Sequence, residues 1–183
     1  MGLITNIQSY LRNRYLKSHQ PKLRNRKQMN FPNARSIGVL FDATDLDRRN
    51  EVLAYVKDLR QREKKVTLLG YFSNKQEKTA NFTFNFFTKA DVDWAKRPKA
   101  KDIDFFLQSP YDIFIHLNPQ PSEVTEIIAA LTEAHLKVGP ADGWLESYDL
   151  MVDAKDKSTL KGFIQQIEQL FKKTNVNHEA ANL

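Results

Sequence analysis

Apolar and polar positions repeat with two different periods along this chain, and the changes of period mark its elements. SIGVLFDAT (36–44) is a short apolar run ended by turn-forming residues, as a strand buried on both faces requires. Beyond it, with Asp47 as N-cap, Val52, Leu53, Val56 and Leu59 form an apolar stripe opposite Lys57, Arg60 and Glu63, the pattern of an amphipathic helix. KVTLLGYFS (65–73) is a second buried strand. The helix between the two has the length of a right-handed βαβ crossover, so the pair is expected to be parallel. Phe82, Phe84 and Phe86 alternate with Thr83, Asn85 and Phe87, which predicts a strand over 81–88 with one aromatic face, followed by a loop holding Trp94, Arg97 and Pro98. IDFFLQS (103–109) reads as a short helix and DIFIHLN (112–118) as the next strand. Ser122 caps a helix in which Val124, Ile127, Ile128 and Leu131 follow the i, i+3, i+4, i+7 spacing. LKVGP (136–140) and YDLMVDA (148–154) are short strands. Leu160, Phe163, Ile164, Ile167, Leu170 and Phe171 mark a closing helix from Ser158 to about Thr174.

This alternation predicts a three-layer, doubly wound α/β domain with a mostly parallel sheet, Rossmann-like or flavodoxin-like, over residues 35–175. Ahead of it, Leu3, Ile4, Ile7, Tyr10, Leu11 and Tyr15 approximate one face of a helix over 3–18, with Arg12, Arg14 and Lys17 mostly elsewhere. Pro21 breaks that helix, and the polar run to Asn33 reads as an extended connector. The expected organisation is a basic N-terminal helix and arm (1–34), the α/β domain (35–175) and a flexible tail without periodicity (176–183).

Charge changes this picture most. The formal net charge of +6 is the sum of two unlike parts. Arg12, Arg14, Lys17, Lys22, Arg24, Arg26, Lys27 and Arg35 fall in residues 1–41 with no acid among them, whereas the remainder carries 20 basic and 22 acidic residues. Clustering concentrates the potential at one end of the chain, where it can act on a polyanion. The 183 residues suit one domain with an appendage, and no apolar run approaches the ~20 residues that cross a bilayer. The absence of cysteine excludes disulfides, thiolate catalysis and cysteine zinc sites, and the start MGLITNIQSYLRNR lacks the continuous apolar core of a secretory signal. A cytoplasmic setting is expected.

Ligands of open parallel sheets sit beyond the carboxyl ends of the strands. Asp42, Thr44 and Asp45 follow the first strand there, Asn118 follows DIFIHL, and Gly139 sits in KVGPADGW, so these five are the candidate small-ligand contacts. The carboxylates would suit Mg²⁺, but Asp residues at such places more often form Asx turns and N-caps. Neither GxGxxG nor GxxxxGK[ST] occurs, so no nucleotide cofactor is expected, and His19, His135 and His178 lack metal-ligand spacing. His116 lies in a strand with no triad partner near in sequence, and a hydrogen-bonded structural role is the expectation for it. Gly139 and Gly143 are expected to serve a tight turn. Trp94 with Lys96, Arg97, Lys99 and Lys101 matches a stacking-plus-phosphate surface, but an aromatic that anchors the loop to the core is the expectation for it.

The blocks LFDATD, VTLLGYF, DVDWAKRPKAKDIDFF, SPYDIFIHLN, AHLKVGP and YDLMVDA together resemble a family of Bacteroidetes proteins known only as a domain of unknown function. The resemblance runs from about residue 36 to 172. It implies a compact α/β domain in a bacterial cytoplasm, supplies no catalytic residue, and leads one to expect a small polar residue such as Asn where this chain has His116.

The function that these features predict is non-catalytic binding of structured RNA or a ribosomal particle by the cationic arm, through Arg12, Arg14, Lys17, Lys22, Arg24, Arg26, Lys27 and Arg35. The alternatives are an anionic membrane surface engaged by helix 3–18, a protein partner or homodimer through the same residues, and a small-ligand or Mg-dependent enzyme site at the carboxyl edge.

Overall fold

The apolar runs pair side by side. In the computed structural model, which describes residues 2–19, 21, 27–74, 82–153 and 159–180, six strands form one wholly parallel sheet. They are β1 (Ser36–Asp42), β2 (Lys65–Phe72), β3 (Asn85–Thr88), β4 (Tyr111–Leu117), β5 (Ala134–Pro140) and β6 (Leu150–Val152), in the order β3-β2-β1-β4-β5-β6. The winding reverses between β1 and β4, the arrangement of a Rossmann-type sheet. The helices are α1 (Gly2–His19), α2 (Leu46–Gln61), α3 (Lys101–Gln108), α4 (Glu123–Leu131) and α5 (Leu160–Ala180).

Alternation along the strands sorts the side chains into two cores. Ile37, Val39 and Phe41 of β1 and Ile113, Ile115 and Leu117 of β4 pack with Val52, Val56 and Leu59 of α2 and Phe163, Ile167 and Phe171 of α5. On the other face Leu40, Leu69 and Phe114 meet Ile103 and Phe106 of α3 and Val124, Ile128 and Ala129 of α4. Each such side chain contributes about 1.5–3 kcal/mol by leaving water. His116 sits directly opposite Leu40 in the register and therefore belongs to the α3/α4 face.

The N-terminal helix makes a further layer outside α4. Leu16 is buried against Ile127, Ala130 and Leu131, with Tyr15, Leu107 and Trp144 around them. Arg12 pairs with Glu123 at the start of α4, and its guanidinium lies 5.9 Å from the centre of the Trp144 ring. Every residue of α4 after Glu123 is buried, which requires α1 as its outer cover because the sheet can cover only one side.

The connector also docks. Where an extended arm was expected as far as Asn33, residues 31–33 form a turn, and Phe31 is buried with its ring stacked on Phe171 at 4.9 Å. The Lys64 ammonium donates to the carbonyl oxygens of Phe31, Pro32 and Ala34 at 3.0, 3.1 and 2.7 Å, and the Arg62 guanidinium lies 4.5 Å above the Phe31 ring.

Several element boundaries differ from expectation; α3, β5 and β6 are shifted by about two residues from 103–109, 136–140 and 148–154, and others differ for a physical reason. Asp45, not Asp47, caps α2, its carboxylate accepting from the Arg48 N–H at 2.8 Å. β3 begins only at Asn85, because Phe82 and Phe84 leave the ladder to stack on each other beside Phe72. The closing helix begins at Leu160 and runs past Thr174 to Ala180, through most of the stretch read as a tail; its expected start at Ser158 lies outside the described residues. Among the described residues no helix is long and apolar enough to cross a membrane.

Candidate functional site

Two ends of the sheet hold the candidate residues, and they differ in chemistry. At the carboxyl end, Asp42 accepts the Thr44 N–H at 2.8 Å in an Asx turn. The Thr44 hydroxyl accepts the Ser73 N–H at 2.9 Å and lies 3.1 Å from the Ser73 hydroxyl, tying the β1 loop to the β2 loop. With Asp45 committed to its cap, the three are used in closing local backbone. Among the described residues no group of three His, Asp or Glu side chains is placed to hold a metal ion.

Deeper at the same end lies a polar cluster that the sequence did not announce. His116 is fully buried, and its Nδ1 is 2.6 Å from the Tyr148 hydroxyl. That hydroxyl is 2.7 Å from Glu126 Oε1, while Glu126 Oε2 accepts the Trp144 N–H at 2.8 Å. A carboxylate only accepts and a phenol has one proton. Tyr148 therefore donates to Glu126 and its oxygen accepts from His116 Nδ1–H, which leaves a lone pair on Nε2. Burial, with the Lys137 cation nearby, pushes the imidazole pKa down to about 3. Burial raises Glu126, and burial and the Glu126 charge raise Tyr148. The cluster is closed below by Lys137, whose ammonium donates to the Ala129 carbonyl near the end of α4.

Gly139 serves this cluster sterically. A Cβ on it would lie 2.2 Å from Tyr148 Cε1, and one on Gly143 would lie 2.7 Å from Cε2 of the same ring and 2.8 Å from Glu126 Oε1. The two glycines of KVGPADGW thus hold the Tyr148 ring between them, a close approach rather than a turn requirement, and neither has positive φ. Asn118, just beyond β4, is buried, and among the described residues neither its Nδ2 nor His116 Nε2 has a hydrogen-bond partner. The partners of His116 come from α4 and from the β5–β6 connection, so no local spacing revealed them. The one available signal was a pair of glycines a few residues before a tyrosine.

Lys27 and Arg35 stand at the opposite, amino-terminal end, whereas Arg12 meets the start of α4 at the carboxyl end. The connector passes there because the Lys27 N–H donates to His135 Nδ1 at the start of β5 at 3.3 Å, and the Arg35 and Ser36 N–H groups donate to the Asp112 carboxylate at 2.7 and 2.9 Å. Lys27 and Arg35 are exposed, as are Arg14 and Lys17 on α1. Arg12 is not free, being held by Glu123 and Trp144. Lys22, Arg24 and Arg26 lie outside the described residues. In the loop before α3, Asp93 accepts from the Ala95 and Arg97 N–H groups and from Arg97 Nε at 2.6 Å, which folds the loop without burying its aromatic. Trp94 remains 56% exposed, so it does not anchor the loop to the core, and the Gln8 amide donates to its carbonyl.

A family model described as Family of unknown function (DUF6913) matches residues 8–174, a span that includes much of α1, the connector and the sheet. No curated protein and no solved structure matches the chain.

Proposed function

The chain belongs to this family of unknown function, and on that premise we propose that it is a non-catalytic protein that binds structured RNA, as such or in a ribosomal particle, through its N-terminal cations. The observation that carries the reading is the exposure of Arg14, Lys17, Lys27 and Arg35 within a segment, residues 1–41, that contains no acid. Docking of α1 on α4 and of Phe31 on α5 holds these cations on a folded body, so less ordering entropy opposes association than for a free arm. Arg14 and Arg35 suit bidentate phosphate contact, and Lys17 and Lys27 add undirected charge. Lys22, Arg24 and Arg26 add charge between them in the sequence. A bacterial cytoplasm, of a Bacteroidetes species as the resemblance implies, is the corresponding setting.

Filter binding to structured RNA over a salt series tests this. Four engaged cations give a slope of log affinity on log salt of about −3 to −4. Joint replacement of Arg14, Lys17, Lys27 and Arg35 by Gln is expected to weaken binding and flatten that slope. Affinity indifferent to both salt and replacement would refute the proposal.

A second reading has one observation in its favour. Ile7 and Tyr10 on α1 are 53% and 63% exposed beside Arg14 and Lys17, the mixture that an anionic membrane surface takes up. It expects sedimentation with phosphatidylserine vesicles that Ile7→Asn with Tyr10→Ser abolishes while RNA binding persists.

A further inference from the structure

His116 and Asn118 are two residues apart on β4 and its immediate continuation, so their side chains leave the same face of the sheet. His116 Nε2 and Asn118 Nδ2 are both buried, and neither has a hydrogen-bond partner among the described residues. Buried polar atoms are almost always paired, so two such atoms on one face call for a common partner. Their chemistry is complementary to one kind of group. Nε2 offers a lone pair, because Nδ1 carries the proton that goes to Tyr148. Asn118 Nδ2 offers N–H. A hydroxyl can donate to the first and accept from the second. A carboxylate has no proton for Nε2, and an ammonium has no lone pair for Nδ2–H.

The location fits. The pair stands at the carboxyl end of β4 beside β1, where the strand order reverses and where open parallel sheets take ligands. We infer that His116 Nε2 and Asn118 Nδ2 together hold one neutral hydroxyl group, either a water or the hydroxyl of a small polyol. Tyr148 and Glu126 are positioning residues in this arrangement. They fix the imidazole tautomer and ring orientation, and the two glycines that clear space for the Tyr148 ring fix Tyr148 in turn. Because the ring takes up no second proton until about pH 3, Nε2 acts as a hydrogen-bond acceptor and not as a general base at neutral pH. Asp42 and Asp45, engaged with Thr44 and Arg48, take no part, which separates this site from a Mg²⁺ or phosphate site. The inference is independent of the RNA reading, since it uses none of the cations on which that reading rests.

The test is nitrogen-15 NMR of the full chain. Long-range proton–nitrogen correlation is expected to show His116 protonated at Nδ1 only, unchanged from about pH 8 to about pH 5, with the Nε2 resonance moved from the free lone-pair position toward that of a hydrogen-bonded nitrogen. A cross-peak from the Asn118 side-chain amide to water identifies the hydroxyl as water. A saturable shift of both resonances on adding excess glycerol identifies a polyol site. Either result supports the inference. Asn118→Leu is expected to return Nε2 to the free position, and the wild-type resonances decide the matter if that variant does not fold. A proton on Nε2, a free lone-pair shift in the wild type, or a hydrogen-bonded Nε2 that survives Asn118→Leu would overturn it.

Discussion

One phenol hydroxyl, that of Tyr148, satisfies two buried ionisable groups at once. Removing it in Tyr148→Phe leaves His116 Nδ1–H without an acceptor and Glu126 Oε1 without its donor, at about 1–3 kcal/mol for each stranded group. The expected loss is therefore about 2–6 kcal/mol in urea unfolding, well beyond what a surface tyrosine would give. Gly139→Ala should cost about 1–3 kcal/mol by overpacking the same ring, without touching any hydrogen bond directly. His116 also sets a pH dependence whose sign follows from its depressed pKa. The unfolded chain takes up a proton near the ordinary value of 6.5, while the folded imidazole stays neutral down to about 3. Between those values the unfolded state binds more protons, so stability falls with falling pH by up to about 1.4 kcal/mol per pH unit. Of the groups facing the ring, Glu126 has the opposite effect. Its raised pKa makes the folded state bind a proton earlier, so it offsets part of the loss. Tyr148 does not titrate in this range, and Lys137 faces the ring as the nearby positive charge that helps to hold it neutral. Comparing urea midpoints of wild type and His116→Asn between about pH 4.5 and 6.5 isolates the histidine. The wild type should show the steeper loss, and parallel profiles would exclude His116 as its source.

At the scale of elements, periodicity was a sufficient guide to helices and strands because each buries a regular face. α4 illustrates both its reach and its limit. Val124, Ile127, Ile128 and Leu131 declared a helix, but Ala129 and Ala130 between them made it apolar all round, a hint that something covers its outer side. That cover is α1, placed by Leu16, a residue outside the stripe that the sequence suggested. Phe31 was hidden for a different reason. A single aromatic in a polar run has no period, and its partners Phe171, Arg62 and Lys64 are far along the chain. The polar cluster was illegible on the same grounds, being assembled from β4, α4 and the β5–β6 connection, whereas the turn at Asp42 is local and could be read directly, and the cap was misplaced by only two residues, at Asp47 instead of Asp45. The contacts of α1 also rank two mutations. Leu16→Ala removes buried apolar volume and is expected to cost about 2–3 kcal/mol. Arg12→Gln loses a half-exposed ion pair and a distant ring contact and should cost below about 1 kcal/mol. Differential scanning calorimetry of both variants checks the order, and a reversal would mean that α1 is held by charge instead of by packing.

At the scale of the whole molecule, Lys27 and Arg35 stand at the amino-terminal end of the sheet in a connector that is hydrogen-bonded to β4 and β5. This makes the tempting truncation a poor experiment. A chain starting at Ser36 keeps every strand of the sheet, and a nearly neutral body with an expendable basic arm would survive it. The packing says otherwise. Deletion of residues 1–35 removes Phe31 from beside Phe171 and Leu16 from Ile127, Ala130 and Leu131, and leaves the Lys64 ammonium without the three carbonyls it serves. Large-to-small changes at such positions cost about 3–5 kcal/mol for a buried Phe and about 2–5 for a Leu, of the same order as the stability of a whole domain. The truncated protein is therefore expected to aggregate, or to unfold at a far lower urea concentration than the full chain, with exposed apolar surface detectable by dye binding. Full-length protein with its exposed N-terminal cations changed to Gln should unfold at nearly the same urea concentration as wild type, since those side chains lie in solvent. A truncated chain as stable as the full one would show α1 and Phe31 to be ornaments on a self-sufficient sheet. Loss of RNA binding on truncation could then be assigned to charge, an assignment that otherwise belongs to the Gln variant alone.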